Sequence, residues 1–439
     1  MDLNKNFEEV EKGYIDKKDA IIEASRCLQC AKPLCIEGCP VRVNVKGFLN
    51  EIKEERFDNA LLEIKKTNNL PGICGRVCPQ EKQCEKACVL GEKAIKIGTL
   101  ERFAADNGKA KISKSETVNK KIAIVGSGPS GLTCASDLAA LGYKVTIFEA
   151  LHKAGGVLTY GIPEFRLPKI IVNKEIEDIK ALGVDIKLNQ VVGKIITLSE
   201  LEVNFDAIFI GNGAGLPNFM NIPGENLINV YSANEYLVRN NLMKAYKFPE
   251  YKTPIGDGKN ITVIGGGNVA VDAARIAKRL GANVKIVYRR TRAEMPARLM
   301  EVEHALKEGI EILELVSPLE ILENDGKKVS QINCEKMKLG EPDESGRRSP
   351  VPTGEKLIID TDEVIIAIGQ KPNPILKTDL ESVGIKLNKW DSILVDDNSQ
   401  STNPKFFAGG DIVGGNATVI KAMGDGRNAE KRIHELLSK

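Results

Sequence analysis

Lys121-Ile-Ala-Ile-Val-Gly-Ser-Gly-Pro-Ser-Gly131 is an apolar run that opens into a glycine-rich turn, and its reading decides the fold. Lys121 to Val125 predicts a short strand buried on both faces, Gly126 to Gly131 a turn, and Leu132 to Leu141 a helix. Lys144 to Phe148 supplies a second strand that ends at an acid, Glu149. In such a unit Gly126 permits the tight turn, Gly128 lets the backbone approach a pyrophosphate, and Gly131 lets helix and strand pack closely. Ser127, Pro129 and Ser130 complete the cradle, and the helix N-terminus offers N–H groups and a positive dipole end to phosphate oxygens. Glu149 is placed to accept hydrogen bonds from ribose hydroxyls.

The same order recurs downstream. Asn260 to Ile264 reads as a strand, Gly265-Gly266-Gly267-Asn268-Val269-Ala270 as the turn, Val271 to Leu280 as a helix and Asn283 to Tyr288 as the next strand. Two such units predict an α/β chain with two doubly wound, Rossmann-like domains. Their registers differ in one respect. Glu149 lies 23 residues after Gly126, whereas the residue 23 after Gly265 is Tyr288, followed by Arg289 and Arg290. A carboxylate at that place repels a 2′-phosphate, and guanidinium groups attract it. The first site therefore suits the adenosine of FAD and the second NADP(H), although arginines at a strand end can also be plain solvated residues.

Further candidates surround the first site. Gly155, Gly156, Val157 and Leu158 follow Glu149 and leave backbone room for a large cofactor. Strands at Val364–Ile368 and Phe406–Ala408 end in the glycine turns Gly369 and Gly409-Gly410. Asp411 can bond ribityl or phosphate groups, and a helix beginning near Thr418 and Val419 can aim its dipole at a flavin. Gly211 joins these cofactor-binding candidates. The stretch from Ala422 to Leu437 reads as a closing helix. The simplest topology inserts residues 245–368, the NADP(H)-binding domain, into an FAD-binding domain made of 119–244 and 369–439.

Upstream lie eight of the ten cysteines. Cys27, Cys30, Cys35 and Cys39 form one group and Cys74, Cys78, Cys84 and Cys88 another, with Pro40 and Pro79 directly after cysteines. Four thiols in thirteen residues, followed by proline, is the manner of iron–sulfur ligation, and two [4Fe–4S] clusters are expected. Zinc, which favours well-separated Cys knuckles, is the competing reading. Phe48, Ile52, Ala60, Leu61 and Ile64 have the spacing of one buried side of paired helices, so residues 1–118 are expected to form a helical cluster domain, with the polar stretch 107–119 as linker. Cys134 and Cys334 stand apart and read as small buried hydrophobes, which disfavours a redox-active disulfide. His152, His304 and His434 are too scattered for a metal site.

Sixty-two basic and sixty acidic residues leave a net charge of +2, so a nucleic-acid partner is not implied. No apolar stretch approaches the ~20 residues of a membrane span, and the N-terminus lacks a secretory h-region, which points to a cytoplasmic, reducing setting for the thiols.

Taken together, the cysteine leader, the two fingerprints, Tyr288-Arg-Arg290 and the string Gly155-Gly-Val-Leu-Thr-Tyr-Gly-Ile-Pro-Glu-Phe-Arg-Leu-Pro168 resemble the small-subunit family of NADPH-dependent glutamate synthase. They also resemble the N-terminal part of dihydropyrimidine dehydrogenase and the large subunit of electron-bifurcating NADH-dependent ferredoxin:NADP+ oxidoreductase. The resemblance implies that Cys27, Cys30, Cys35 and Cys88 hold one cluster and that Cys39, Cys78 and Cys84 hold the other. Its fourth ligand is then a non-cysteine residue, by position Glu101, with Cys74 the competing candidate. The resemblance also places Tyr160 to Arg166, including Gly161, Ile162 and Arg166, near the flavin. The function it implies is electron flow from NADPH through FAD and two clusters to a partner subunit, with no catalytic side chain required, because the chemistry belongs to the cofactors. The partner is a glutamate synthase large chain or, in the alternative, a ferredoxin reductase-like flavoprotein with ferredoxin, in a hetero-oligomer. The chain has no room for the glutaminase or FMN barrel of a complete synthase. Outside enzymology, the same groups would serve a redox sensor or scaffold.

Overall fold

The computed structural model describes residues 6–254, 256, 258–324, 326–344, 346–414 and 418–438. They fall into two compact units. The larger comprises Glu9–Thr159, Phe165–Ala214 and the chain from Lys371 onward. The smaller comprises Tyr160–Glu164, Gly215–Gln370 and the described residues as far as Glu8.

Each unit is built on five parallel strands with the fingerprint strand in the middle. In the larger the spatial order is Phe406–Ala408, Ala207–Ile210, Lys121–Val125, Lys144–Phe148 and Asp185–Lys187. In the smaller it is Val230–Ser232, Glu363–Ile366, Asn260–Ile264, Asn283–Tyr288 and Glu311–Glu314. After their first residue both fingerprint strands are buried throughout, which is why they read as unbroken apolar runs rather than alternating ones. The helices that follow are Pro129–Ala140 and Asn268–Arg279, each beginning three residues earlier than apolar spacing suggests. The closing helix runs from Val419 to Leu437, with Thr418 as its cap.

The division differs from the expected one in two places. The smaller unit begins at Gly215, not at 245, because Val230–Ser232 pairs in parallel with Glu363–Ile366 and the Ala233–Asn241 helix packs on Asn268–Arg279. The N-terminal helices, in turn, share one compact unit with the first five-stranded sheet. Val45–Lys53 and Phe57–Lys65 do bury Phe48, Ile52, Ala60, Leu61 and Ile64 as their spacing predicts. Polar bonds then join this region to the rest of the larger unit. Lys65 Nζ lies 2.7 Å from Asp178, Gly72 N donates to Glu175 at 2.8 Å, and Asn69 Nδ2 donates to Asp137 at 2.8 Å. Arg427 meets the same Asp137 at 3.0 Å. A polar stretch such as 107–119 looks like a linker in sequence, yet it carries no information about contacts made elsewhere.

One element had no counterpart in the sequence reading. Val316–Glu323, Val329–Pro342 and Arg348–Asp360 form a three-stranded antiparallel sheet in the smaller unit. Where the chain passes between the units, the strands Ala214–Pro217 and Gln370–Pro372 pair with one another.

Two outcomes follow from this packing. A β-carbon at Gly131 would overlap the carbonyl oxygen of Gly126, so Gly131→Val should cost at least ~1–3 kcal/mol by overpacking, read as a fall in Tm. Glu430, buried on the Val419–Leu437 helix, is pushed up to about 7 by burial and by neighbouring Asp137, against the pull of Arg427. Between its ordinary value of 4.5 and about 7 the folded chain keeps a proton that the unfolded chain releases, so stability falls as pH rises through that window. Glu430→Gln should flatten part of that fall in Tm measured against pH.

Candidate functional site

The first fingerprint is assembled from five segments of the larger unit. Gly126 has φ +95°, a conformation that glycine adopts without strain. A β-carbon on Gly128 would meet only the Gly211 carbonyl oxygen, 3.8 Å away, so the space above it is open for a phosphate. Gly156 stands against Gly128, where an added β-carbon would lie 2.9 Å from its Cα, and Gly410 faces Ser130 Oγ. Gly128 caps the Pro129–Ala140 helix without any side-chain hydrogen bond, which leaves the first N–H groups for a ligand. Glu149 is buried at the end of the second strand. Its Oε2 accepts from Ser127 N at 3.0 Å and Ser127 Oγ at 2.5 Å, and its Oε1 accepts from Leu151 N at 2.8 Å. A carboxylate offers roughly four acceptor positions, so room for a ribose hydroxyl remains.

Most of the predicted residues meet here. Gly126 to Gly131, Glu149, Gly156, Gly211 and Gly410 converge, with Val157 and Leu158 in the short Val157–Tyr160 helix and Asp411 opening the Asp411–Gly414 turn of helix. Gly161 and Ile162 fall in the smaller unit, where Asn241 Nδ2 donates to the Gly161 oxygen at 2.9 Å. Arg166 returns to the larger unit. Thr418 accepts from Lys421 N at 3.3 Å and so caps the closing helix with its own side chain. Sequence reasoning missed Asp425, whose Oδ2 accepts from Gly410 N at 2.9 Å and fixes that turn.

One turn of the closing helix, Met423 to Gly426, is in contact on two sides. Gly426 sits so close to Ser130 that a β-carbon would overlap its carbonyl oxygen. Gly424 lies against Pro40, with 3.3 Å from a β-carbon position to its oxygen, and Met423 Sδ is 3.5 Å from Cys74 Sγ.

The thiols fall into two sets. Cys27, Cys30, Cys35 and Cys88, all half-buried, line one small cavity of about 30 Å³ together with Leu28, Leu34, Val45, Lys46 and Leu49. Burial pushes the Cys35 thiol up, and Cys27 and Cys88 add to it. Cys39, Cys78, Cys84 and Glu101 neighbour one another instead. Burial raises Cys39 to about 11, with Glu101 and Cys78 contributing, and raises Cys84, with Glu101, Cys39 and Cys78 contributing. Glu101 is buried, accepts from Asn68 Nδ2 at 2.6 Å, and is pushed up to about 8, chiefly by burial. Cys74 is fully buried beside Cys78 and is raised by burial and by that neighbour. Gathered acids and thiols of this kind suit a cationic core, which would reverse each of these shifts. Among the described residues no three His, Cys, Asp or Glu side chains gather as a single-ion site would require. None of the ten cysteines is in a disulfide, and Cys134 and Cys334 are buried as expected.

In the smaller unit Gly265 has φ +141°, Gly266 packs against the Tyr288 ring, and nothing lies within 4 Å of a β-carbon built on Gly267. Gly267 caps the Asn268–Arg279 helix without a side-chain bond, so this turn too is an open phosphate cradle. Asn268 Oδ1 accepts from Arg298 N at 3.0 Å, Val269 is exposed and Ala270 is buried. Gly369 has φ +100°, and its oxygen accepts from Asn218 N at 3.0 Å. The two arginines part company. Arg289 is exposed, whereas Arg290 is buried and bonded to Asp343 at 2.5 Å and to the Arg348 carbonyl at 2.7 Å. No local signal could have shown that engagement, because its partners lie more than fifty residues away in the antiparallel sheet.

Comparison with known proteins places this geometry. The family model "Pyridine nucleotide-disulphide oxidoreductase" matches residues 91–203 and 120–426, and "Dihydropyrimidine dehydrogenase domain II, 4Fe-4S cluster" matches 3–112. The glutamate synthase [NADPH] small chain of Halomonas elongata is 36% identical over 447 residues, covering 99% of this chain and 94% of that one. This chain belongs to the glutamate synthase small-chain family. It is an FAD- and iron–sulfur-dependent NADPH oxidoreductase, and the 4Fe-4S match decides against the zinc reading. The NADP(+)-dependent formate dehydrogenase subunit beta of Moorella thermoacetica is 38% identical over 438 residues, covering 92% of this chain. The chain spans 60–68% of the longer curated relatives that it matches. Several relatives, like these two, are subunits of larger enzymes. Among solved structures, Mycobacterium tuberculosis FprA in complex with NADPH matches the fold with a TM-score of 0.62 at 22% identity, covering 73% of this chain and 85% of that one. Among the described residues no helix is long and apolar enough to cross a membrane.

The two open cradles give a direct test. Gly267→Ala should fold with unchanged Tm, since its β-carbon meets nothing, yet lose about tenfold or more in NADPH affinity by titration, because the pyrophosphate can no longer approach.

Proposed function

We propose that this chain draws electrons from NADPH and delivers them to a partner subunit, as the small chain of a glutamate synthase-type hetero-oligomer. FAD would be held by Gly126–Gly131, Glu149, Gly156 and Gly410, and NADP(H) by Gly265–Ala270 and Arg289. The flavin is assigned to the sheet of the larger unit, within 119–214 and 371–439, the pyridine nucleotide to the Gly215–Gln370 stretch of the smaller unit, and the helical region 1–118 to two [4Fe–4S] clusters. A flavin held by these residues would supply the chemistry that links a two-electron hydride donor to one-electron acceptors. No side chain has to act as a general base; the protein's part is to hold phosphates on helix N-termini, to orient rings and to exclude water.

The observation that carries this reading is the Met423–Gly426 turn, which touches the flavin fingerprint at Ser130 and, next to the second thiol set, Pro40 beside Cys39 and Cys74 beside Cys78. It supports the second set, Cys39 with the buried Cys78, Cys84 and Glu101, as the ligands nearer the flavin. The half-exposed set, Cys27, Cys30, Cys35 and Cys88, is then the side from which a partner protein is served.

Anaerobically purified protein should contain about eight irons and one FAD per chain, and NADPH should bleach its flavin absorbance. Protein that stays colourless after cluster reconstitution and added flavin would refute the proposal. The fourth ligand is tested separately: Glu101→Cys should alter the EPR signal of one reduced cluster while Cys74→Ser leaves both signals intact. The reverse pattern would assign Cys74.

A further inference from the structure

The end of the Asn283–Tyr288 strand is where a 2′-phosphate of adenosine is read in this fold. Arg289 there is exposed, but Arg290 is turned inward and held from two directions by one hairpin. Its Nη2 donates to Asp343 Oδ2 at 2.5 Å and its Nε donates to the Arg348 carbonyl at 2.7 Å. Asp343 and Arg348 flank the tip between the strands Val329–Pro342 and Arg348–Asp360. The tip is closed by its own bonds, Asp343 N to the Arg347 oxygen at 2.7 Å and Arg347 N to Asp343 Oδ1 at 3.2 Å. Arg348 is fastened in turn to Glu294 at 2.6 Å, and Glu294 caps Thr291, two residues past Arg289. Arg292 is paired with Glu314 at 2.5 Å.

Three ion pairs therefore surround the strand end: Arg290 with Asp343, Arg348 with Glu294, and Arg292 with Glu314. The strand itself lacks the acid that Glu149 supplies in the other fingerprint, and the hairpin brings one to the neighbouring position from fifty-three residues away. We propose that Asp343 is a specificity-determining residue of the nucleotide site, which neutralises Arg290 and leaves Arg289 to attract the 2′-phosphate. Asp343 thereby moderates the preference for NADP(H) over NAD(H). This rests on the reading that the second fingerprint binds NADP(H).

The test is isothermal titration of the full chain, purified anaerobically, with 2′,5′-ADP and 5′-AMP as probes. Asp343→Asn keeps an oxygen for Arg347 N but removes the charge, so the Kd for 2′,5′-ADP should fall about tenfold while that for 5′-AMP stays put. Asp343→Ser, which also removes the charge with less side chain, should shift the ratio of the two Kd values in the same direction. An unchanged ratio, or weaker 2′,5′-ADP binding in both variants, overturns the proposal. Arg289→Ala separates the two levels: it should weaken 2′,5′-ADP and spare 5′-AMP. If Arg289→Ala and Arg290→Ala both leave 2′,5′-ADP binding untouched, the NADP(H) reading of this site falls and the role of Asp343 falls with it. If Arg289→Ala behaves as expected and the Asp343 variants do not, only the role of Asp343 fails.

Discussion

The carbonyl of Ser130 and the Cα of Gly426 approach so closely that no side chain fits between them. That contact lets the Val419–Leu437 helix lie directly on the Pro129–Ala140 helix, and much else depends on it. Because the two backbones touch, Asp425 reaches back to Gly410 and sets the last glycine turn of the flavin cradle. On the opposite side of the same turn, Met423 and Gly424 meet Cys74 and Pro40. A helix displaced outward by one methyl group would loosen the Gly410 turn and crowd Pro40 and Cys74 at the same time.

Electrostatics separates the structural acids from those reserved for chemistry. In the smaller unit Glu308 is half-buried, and although burial works against it, Arg279 and Arg275 hold its carboxyl below the ordinary range. In the larger unit the influences on Glu101 are burial, the Asn68 amide and two further acids, Glu175 and Glu85. Two guanidinium groups thus hold one acid, whereas a side-chain amide hydrogen-bonds the other. The half-buried first thiol set faces a lesser cost, which fits its position at a cavity rather than in the core.

The two fingerprints were legible because their signals are local. A buried parallel strand, glycines where φ is positive or the backbone crowds, and an acid or arginine at a counted distance all lie within thirty residues. The paired helices around Phe48 and Ile52 were legible for the same reason, since their apolar spacing is a property of a single turn. What escaped was non-local. The start of the smaller unit at Gly215 depends on a three-residue strand, Val230–Ser232, too short to show a pattern. The antiparallel strands from Val316 to Asp360 are largely exposed and lack clean alternation, so no period marks them. Arg290 reads as half of a pair, and only the fold reveals that Asp343 already holds it. Likewise Gly161 and Ile162 sit within a string that looks continuous, yet they are divided from Gly156 by a unit boundary.

The pairing of Ala214–Pro217 with Gln370–Pro372 has a consequence for how such a chain can be assembled and varied. An insertion whose ends are stitched side by side adds little to the entropy of closing the host around it. The host strands Ala207–Ile210 and Phe406–Ala408 are neighbours in one sheet despite nearly two hundred intervening residues, and they tolerate that distance because the intervening body brings its own exits together. The long Gly215–Gln370 stretch of the smaller unit thus starts and ends on strands that pair with one another, while Tyr160–Glu164 enters that unit by crossings of its own.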